Sequence, residues 1–197
     1  VAENTVGAAL GDAAELRAGG SIAVVGHLED TVVDVAGGIV LANGGAGVGA
    51  TISTAVFSSS IFANVGRNAT LYAEGLTPGI RTPNRTERRG VLISATATET
   101  LIIASIAAAA SAGSAAFSGV INTLVAKNTV HAGVAEGAKI SAGYALDGAG
   151  EPTAAAANAE SDVIVEADDD THIVNCAGAL ALSGSSAGVG VTIVSII

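Results

Sequence analysis

The chain has 197 residues and a formal net charge of −10, with eight Lys and Arg set against 18 Asp and Glu. A net charge this acidic, with the acids spread widely, argues against nucleic acid as a partner, since phosphate binding needs clustered cations. With 26 Gly, only 3 Pro and a single Cys176, the composition excludes collagen, a Pro-rich linker and an internal disulfide. Half the residues are apolar, yet two Tyr and three Phe are the only aromatics. A core without large rings must stack small and β-branched side chains closely, which favours repetitive β architecture.

In chain order, three segments align. The first runs Thr5-Val6, Ala8, Leu10-Gly11, Ala14, Leu16, Ala18. The second is Ser60-Ile61, Ala63, Val65-Gly66, Ala69, Leu71, Ala73, and the third Thr129-Val130, Ala132, Val134, Gly137-Ala138, Ile140, Ala142. Apolar residues fall at every second position, the period of a strand with one buried face. Each head has a matching tail: Ile22-Ala23-Val24, Val91-Leu92-Ile93 and Val163-Ile164-Val165. Further on, Ala36-Gly37 matches Ala177-Gly178, Ala46-Gly47-Val48-Gly49 matches Ala187-Gly188-Val189-Gly190, and Thr51-Ile52 matches Thr192-Ile193.

The expected fold is all-β, a single-stranded parallel β-helix over residues 1–197, with repeats at about 5–59, 60–128 and 129–197. Two loops interrupt it, at 76–89 and 144–160, both at one equivalent position. A repeat core of roughly 55 residues reads as two or three coils, giving eight or so coils and a rod of roughly 40 Å at the inter-strand spacing. Glycines are expected at the corners. The abrupt start at Val1 and the apolar end Val194-Ser195-Ile196-Ile197 read as a segment cut from a longer protein. Leu101 to Ile121 and Ile173 to Ile197 carry no charge and are long enough to cross a bilayer. They lack basic flanks and an aromatic belt, so a charge-free solenoid interior is the expectation and no membrane span is.

The second repeat contains Arg89-Gly90-Val91-Leu92-Ile93-Ser94-Ala95-Thr96-Ala97-Thr98, then an Ala/Ser/Gly-rich stretch, then Val120-Ile121-Asn122 and Asn128-Thr129-Val130-His131-Ala132. This succession, repeated in part at Ala177 to Gly190, resembles the repeats of large filamentous haemagglutinin-like and leukotoxin-like bacterial adhesins. The resemblance covers nearly the whole chain outside the two insertions. It implies an exported, extracellular shaft segment at the bacterial cell surface, without catalytic residues. The expected partners are further copies, joined end to end or laterally, and host or matrix glycans or proteins.

Three features bear on chemistry. The 76–89 insertion holds Arg81, Arg85, Arg88 and Arg89, half of all Lys and Arg in the chain, and is the best candidate for binding an acidic glycan or partner. It also carries the alternative reading, a carbohydrate-binding or polysaccharide-acting β-helix protein. Asp168, Asp169 and Asp170 form the densest acidic run, read as a solvated loop or a weak Ca²⁺ site; neither the EF-hand nor the Ca²⁺-roll spacing is present. His27, His131 and His172 read as isolated polar-face residues, and the glycine run 44–49 as part of the repeat and not a phosphate loop. No cofactor is expected and no enzymatic activity.

Overall fold

The computed structural model describes residues 1–76, 79–81 and 87–197. It is all-β. β1 (Ala2–Leu10), β2 (Glu15–Ala18) and β3 (Ile22–Ala42) make a first coil. β4 (Ala46–Val65), β5 (Thr70–Ala73) and β6 (Gly90–Ser111) make the second. β7 (Ala115–Val134), β8 (Lys139–Ala142) and β11 (Asp162–Ser183) make the third, and β12 (Ala187–Ile196) stacks on β7 as the first strand of a further coil. A hairpin, β9 (Tyr144–Leu146) with β10 (Pro152–Ala156), leaves the third coil between β8 and β11.

Three parallel sheets result: β1-β4-β7-β12, β3-β6-β11 and the short β2-β5-β8. The register joins Thr5 to Ser60 and Ser60 to Thr129, and Ile22 to Val91 and Val91 to Val163. These are the residues the sequence repeat equates. Stacking like on like keeps inward and outward positions in line, because a one-residue slip would turn every side chain to the wrong face. Both insertions leave the same corner, after β5 and after β8.

The number of coils differs from the sequence expectation. Each repeat is one coil, not two or three, because its two arms are single strands of about twenty residues. A strand of that length spans roughly 65 Å. The coil is therefore a flat wedge: two long arms that meet at turns 43–45, 112–114 and 184–186, closed at the other end by the short sheet. Sheet-forming alternation sets no upper length, and the internal Gly residues that read as corners lie within strands.

Glycine explains the thin tip. Inward-facing Gly47 and Gly49 lie against the opposite arm, where an added Cβ would come within 2.9 Å of the carbonyl oxygens of Ala110 and Ala108. Ala107, Ala109 and Ala116 fill the rest of that interior. Nearer the short sheet the wedge widens and larger residues fill it: Ile61, Val65, Leu71, Val91 and Ile93 form one buried cluster. A smaller cluster of Phe57, Leu101, Ile103 and Leu124 lies toward the tip.

Between the two clusters runs a polar seam. Asn4, Ser59 and Asn128 share one register row, and Asp30, Glu99 and Thr171 share the facing row. Asn4 Nδ2 donates to Asp30 at 2.9 Å, and Ser59 Oγ donates to Glu99 at 2.5 Å. Asn128 Nδ2 donates to Glu99 and to Thr171, the latter at 2.8 Å. Glu99 is only 4 % exposed. The expected charge-free interior is thus corrected in two ways: the interior holds carboxyl groups, and alternate residues of the charge-free runs face outward, among them Ile106, Phe117, Ile121 and Leu180. Among the described residues, no helix is long and apolar enough to cross a membrane.

Candidate functional site

The short-sheet end carries both insertions and most of the unusual side-chain geometry. In the 76–89 insertion, Ile80 and Arg88 form an antiparallel bridge, their backbone N–H groups donating to each other's carbonyls at 2.6 and 2.9 Å. Arg81 stands 3.8 Å from Glu87, and Arg89 stands 3.6 Å from Glu160 of the other insertion. Arg88 Nε is buried, with no hydrogen-bond partner among the described residues. Glu87, Arg88, Arg89, Glu160 and Asp162 line an open recess of about 320 Å³. Arg81, Arg88 and Arg89 are therefore placed in one insertion, with a carboxylate beside two of them; Arg85 lies outside the described residues. Exposed pairs of this kind contribute little to stability. They do determine that the recess presents mixed rather than purely positive charge.

The acidic run lies in strand β11, not in a loop. Strand alternation separates its members: Asp169 turns inward, accepting a hydrogen bond from Thr171 Oγ1 at 2.8 Å, while its neighbours Asp168 and Asp170 take the opposite face. In register with Asp168 stand Thr96 and then His27, whose Nδ1 lies 2.7 Å from Thr96 Oγ1. Among the described residues, no group of three or more His, Cys, Asp or Glu is placed to hold a metal ion.

The second insertion is a strap. It leaves coil three, and its hairpin reaches Arg17 on coil one, crossing coil two on the way. Arg17 donates to Gly150 O at 2.9 Å and pairs with Glu15 at 2.6 Å and Glu151 at 2.8 Å. Its guanidinium lies 5.7 Å from the centre of the Tyr72 ring on β5. Leu146 N–H donates to Glu74 Oε1 at 2.8 Å, and Asn158 Nδ2 to Gly75 O at 2.6 Å. The three coils are thus tied together across the short sheet by polar contacts. Hydrogen bonds to Glu15 and Glu151 raise the pKa of Arg17, so its charge persists at every working pH. Replacing Arg17 with Ala should speed proteolytic cleavage in 147–151 while leaving the strand spectrum of the body unchanged.

The strap also has a pH response. Asp147 Oδ1 accepts the backbone N–H groups of Glu151 and Ala149, each at 2.9 Å, and these bonds hold its carboxyl below the usual carboxylate range. A group with a depressed folded pKa stabilises above its unfolded pKa and loses that contribution as pH falls through the folded one. The hairpin tip should therefore stay closed through neutral and mildly acidic pH and loosen only below the ordinary Asp range. Amide exchange at Ala149 and Glu151, followed against pH, measures this; loosening near neutrality would contradict it.

Sequence reasoning missed Arg17 and the seam. Nothing in Glu15-Leu16-Arg17 signals a partner 133 residues away. The seam did leave a trace: Glu99 shares parity with Ile93, Leu101 and Ile103, and alternation alone places it inside. No family model, curated protein or solved structure matches the chain, so its fold rests on its own register: a repetitive parallel β-solenoid of three stacked coils.

Proposed function

We propose that this chain is a shaft segment of a bacterial cell-surface filamentous adhesin, non-catalytic and exported, that projects or supports a binding region. The observation that supports it most is the continuous in-register pairing of every arm along the stack. Such an object is stiff, extends by adding coils, and gives each coil the same contacts above and below. Its best-formed devices serve the stack: the strap joins the three coils, and the seam joins the two arms of each coil and, through Asn128 and Glu99, the third coil to the second. Antibodies raised against the chain test the reading on intact cells of the source organism. Labelled surface filaments are expected; label confined to lysed cells would overturn it.

The second reading, capture of an acidic glycan at the insertion, is favoured by one observation: the buried Arg88 Nε at the wall of the recess, without a partner among the described residues. Its test is heparin binding and chain cleavage of acidic polysaccharides by the native chain and by a variant with Arg81, Arg85, Arg88 and Arg89 replaced by Ser. Binding lost in the variant supports it, and equal binding by both removes it.

A further inference from the structure

The tip half of the wedge is largely apolar on its outer face, while its interior mixes small apolar residues with buried Ser53, Ser105, Ser118 and Asn122. No charged residue occurs between Asp34 and Arg67, between Glu99 and Lys127, or after Asp170, and the register brings these three runs to the same end. On the outer face of the β4-β7-β12 arm the side chains form rows that run along the stack. Nearest the turn is a small row, Ala46, Ala115 and Ala187. Next comes a large row, Val48, Phe117 and Val189, followed by Ala50, Gly119 and Val191. Ile52, Ile121 and Ile193 complete the set. Small and large rows alternate, Val191 being the one larger residue in a small row. The large side chains stand free: Ile52 is 71 % exposed and Phe117 46 %. Above Gly119 there is open space, with nothing within 4 Å of where a Cβ would sit.

We propose that this face docks on the same face of a second copy, sheet on sheet, with strand directions reversed about a two-fold axis that runs along the stack and passes level with Gly49, Ser118 and Gly190. This deepens the shaft reading and rests on it, by naming the surface through which shafts associate laterally. The axis sets row 48 opposite row 50 and row 52 opposite row 46. Phe117 then faces the space above Gly119, and Ile52, Ile121 and Ile193 face the three alanines. Each contact is made twice, as a two-fold interface requires, and interdigitated small and large rows are how two sheets pack dry. The polar turns at the tip fall opposite Thr54, Thr123 and Ser195. The charged halves of the two copies extend in opposite directions, so a body of net charge −10 is kept away from its like.

A bilayer is a poorer occupant. The turns that would enter it first hold the polar residues Asn43, Ser114, Ser185 and Ser186, whose hydroxyl and amide groups lose their water in hydrocarbon. The chain has no Trp, and the charges bordering the apolar zone are mostly acids, the opposite of an interfacial belt. Fluid lipid also has no use for a row of holes.

Residues 46–52 across three strands cover about 23 by 14 Å, roughly 300 Å² per copy, against about 800 Å² per partner in a stable complex. Three coils should therefore associate weakly, and each added coil should tighten the contact. Sedimentation equilibrium up to the solubility limit should show a monomer–dimer equilibrium. Ile52→Ser with Ile121→Ser, or Ala46→Leu with Ala50→Leu, should weaken it roughly tenfold or more. Leu180→Ser on the other arm should leave it unchanged. All these positions lie on an outer face, so a strand spectrum and melting curve like the parent's show that each variant folds. A monomer at every concentration, a dimer broken only by Leu180→Ser, or flotation with phosphatidylcholine vesicles in place of dimerisation would overturn the contact. A folded monomer rejects the contact alone; the shaft reading fails separately, on the surface labelling.

Discussion

Ile93→Ala should lower the unfolding free energy by about 3 kcal/mol, while Val165→Ala, at the same position one coil further on, should cost under about 1 kcal/mol. Both side chains point inward in one register row with Val24. Their difference is position in the stack: Ile93 is 0 % exposed and Val165 47 %. Truncating Ile93 leaves a void between ladders that are hydrogen-bonded on both sides, so the neighbours cannot collapse into it. Truncating Val165 removes surface that is already half wet. For a chain of this size the larger loss corresponds to a fall in melting temperature of roughly 6–12 °C. Urea titrations of both variants, with the slope held equal to the parent's, measure the contrast. Equal costs would mean that the inner row of the third coil is covered in solution, as end-to-end stacking of another copy would cover it.

How legible this fold is from sequence differs by level. Alternation at Thr5-Val6, Ser60-Ile61 and Thr129-Val130 identifies strands and equates the three repeats, because a half-buried strand leaves a period-two trace in every copy. It does not reveal where a strand stops. From Ile22 to Ala42 there is no Pro, and the glycines at 26, 37 and 38 read as punctuation. Gly26 instead faces inward, where a Cβ would meet the carbonyl oxygen of Phe62 at 2.6 Å. Close approach and turning both select glycine, and only the facing arm distinguishes them. The insertion arginines were visible as a charge cluster, but the recess they line needs Glu160 and Asp162 from a segment seventy residues away. Contacts that join coils are long-range in sequence and leave no local pattern.

The last expected effect concerns the seam, and its size follows from what Glu99 would lose. Asn128→Leu removes a donor from a carboxyl that is otherwise held by Ser59. Leaving a buried carboxyl short of partners should cost about 3 kcal/mol. Glu99→Leu leaves Ser59 unpaired, whereas Asn128 keeps Thr171, so its cost should be smaller. Replacing Ser59, Glu99 and Asn128 together with apolar residues should recover much of the loss, since an apolar filling has no desolvation to offset. Stability is then only half of the readout. The arms are long, and their inner rows are largely Ala, Ser, Val and Ile, so a slip of two residues keeps every side chain on its own face. Burial alone barely resists such a slip. The seam resists it, because a two-residue shift would part Asn4 from Asp30 and Asn128 from Glu99 and carry these polar groups into the flanking apolar clusters. The triple variant should therefore melt near the parent yet show broadened or doubled amide signals along β4 and β6, the signature of more than one register. A single sharp set of signals would show that the turns at 43–45 and 112–114 suffice. Register also aligns the outer rows, so the same variant should dimerise less well although none of its substitutions touches the outer face.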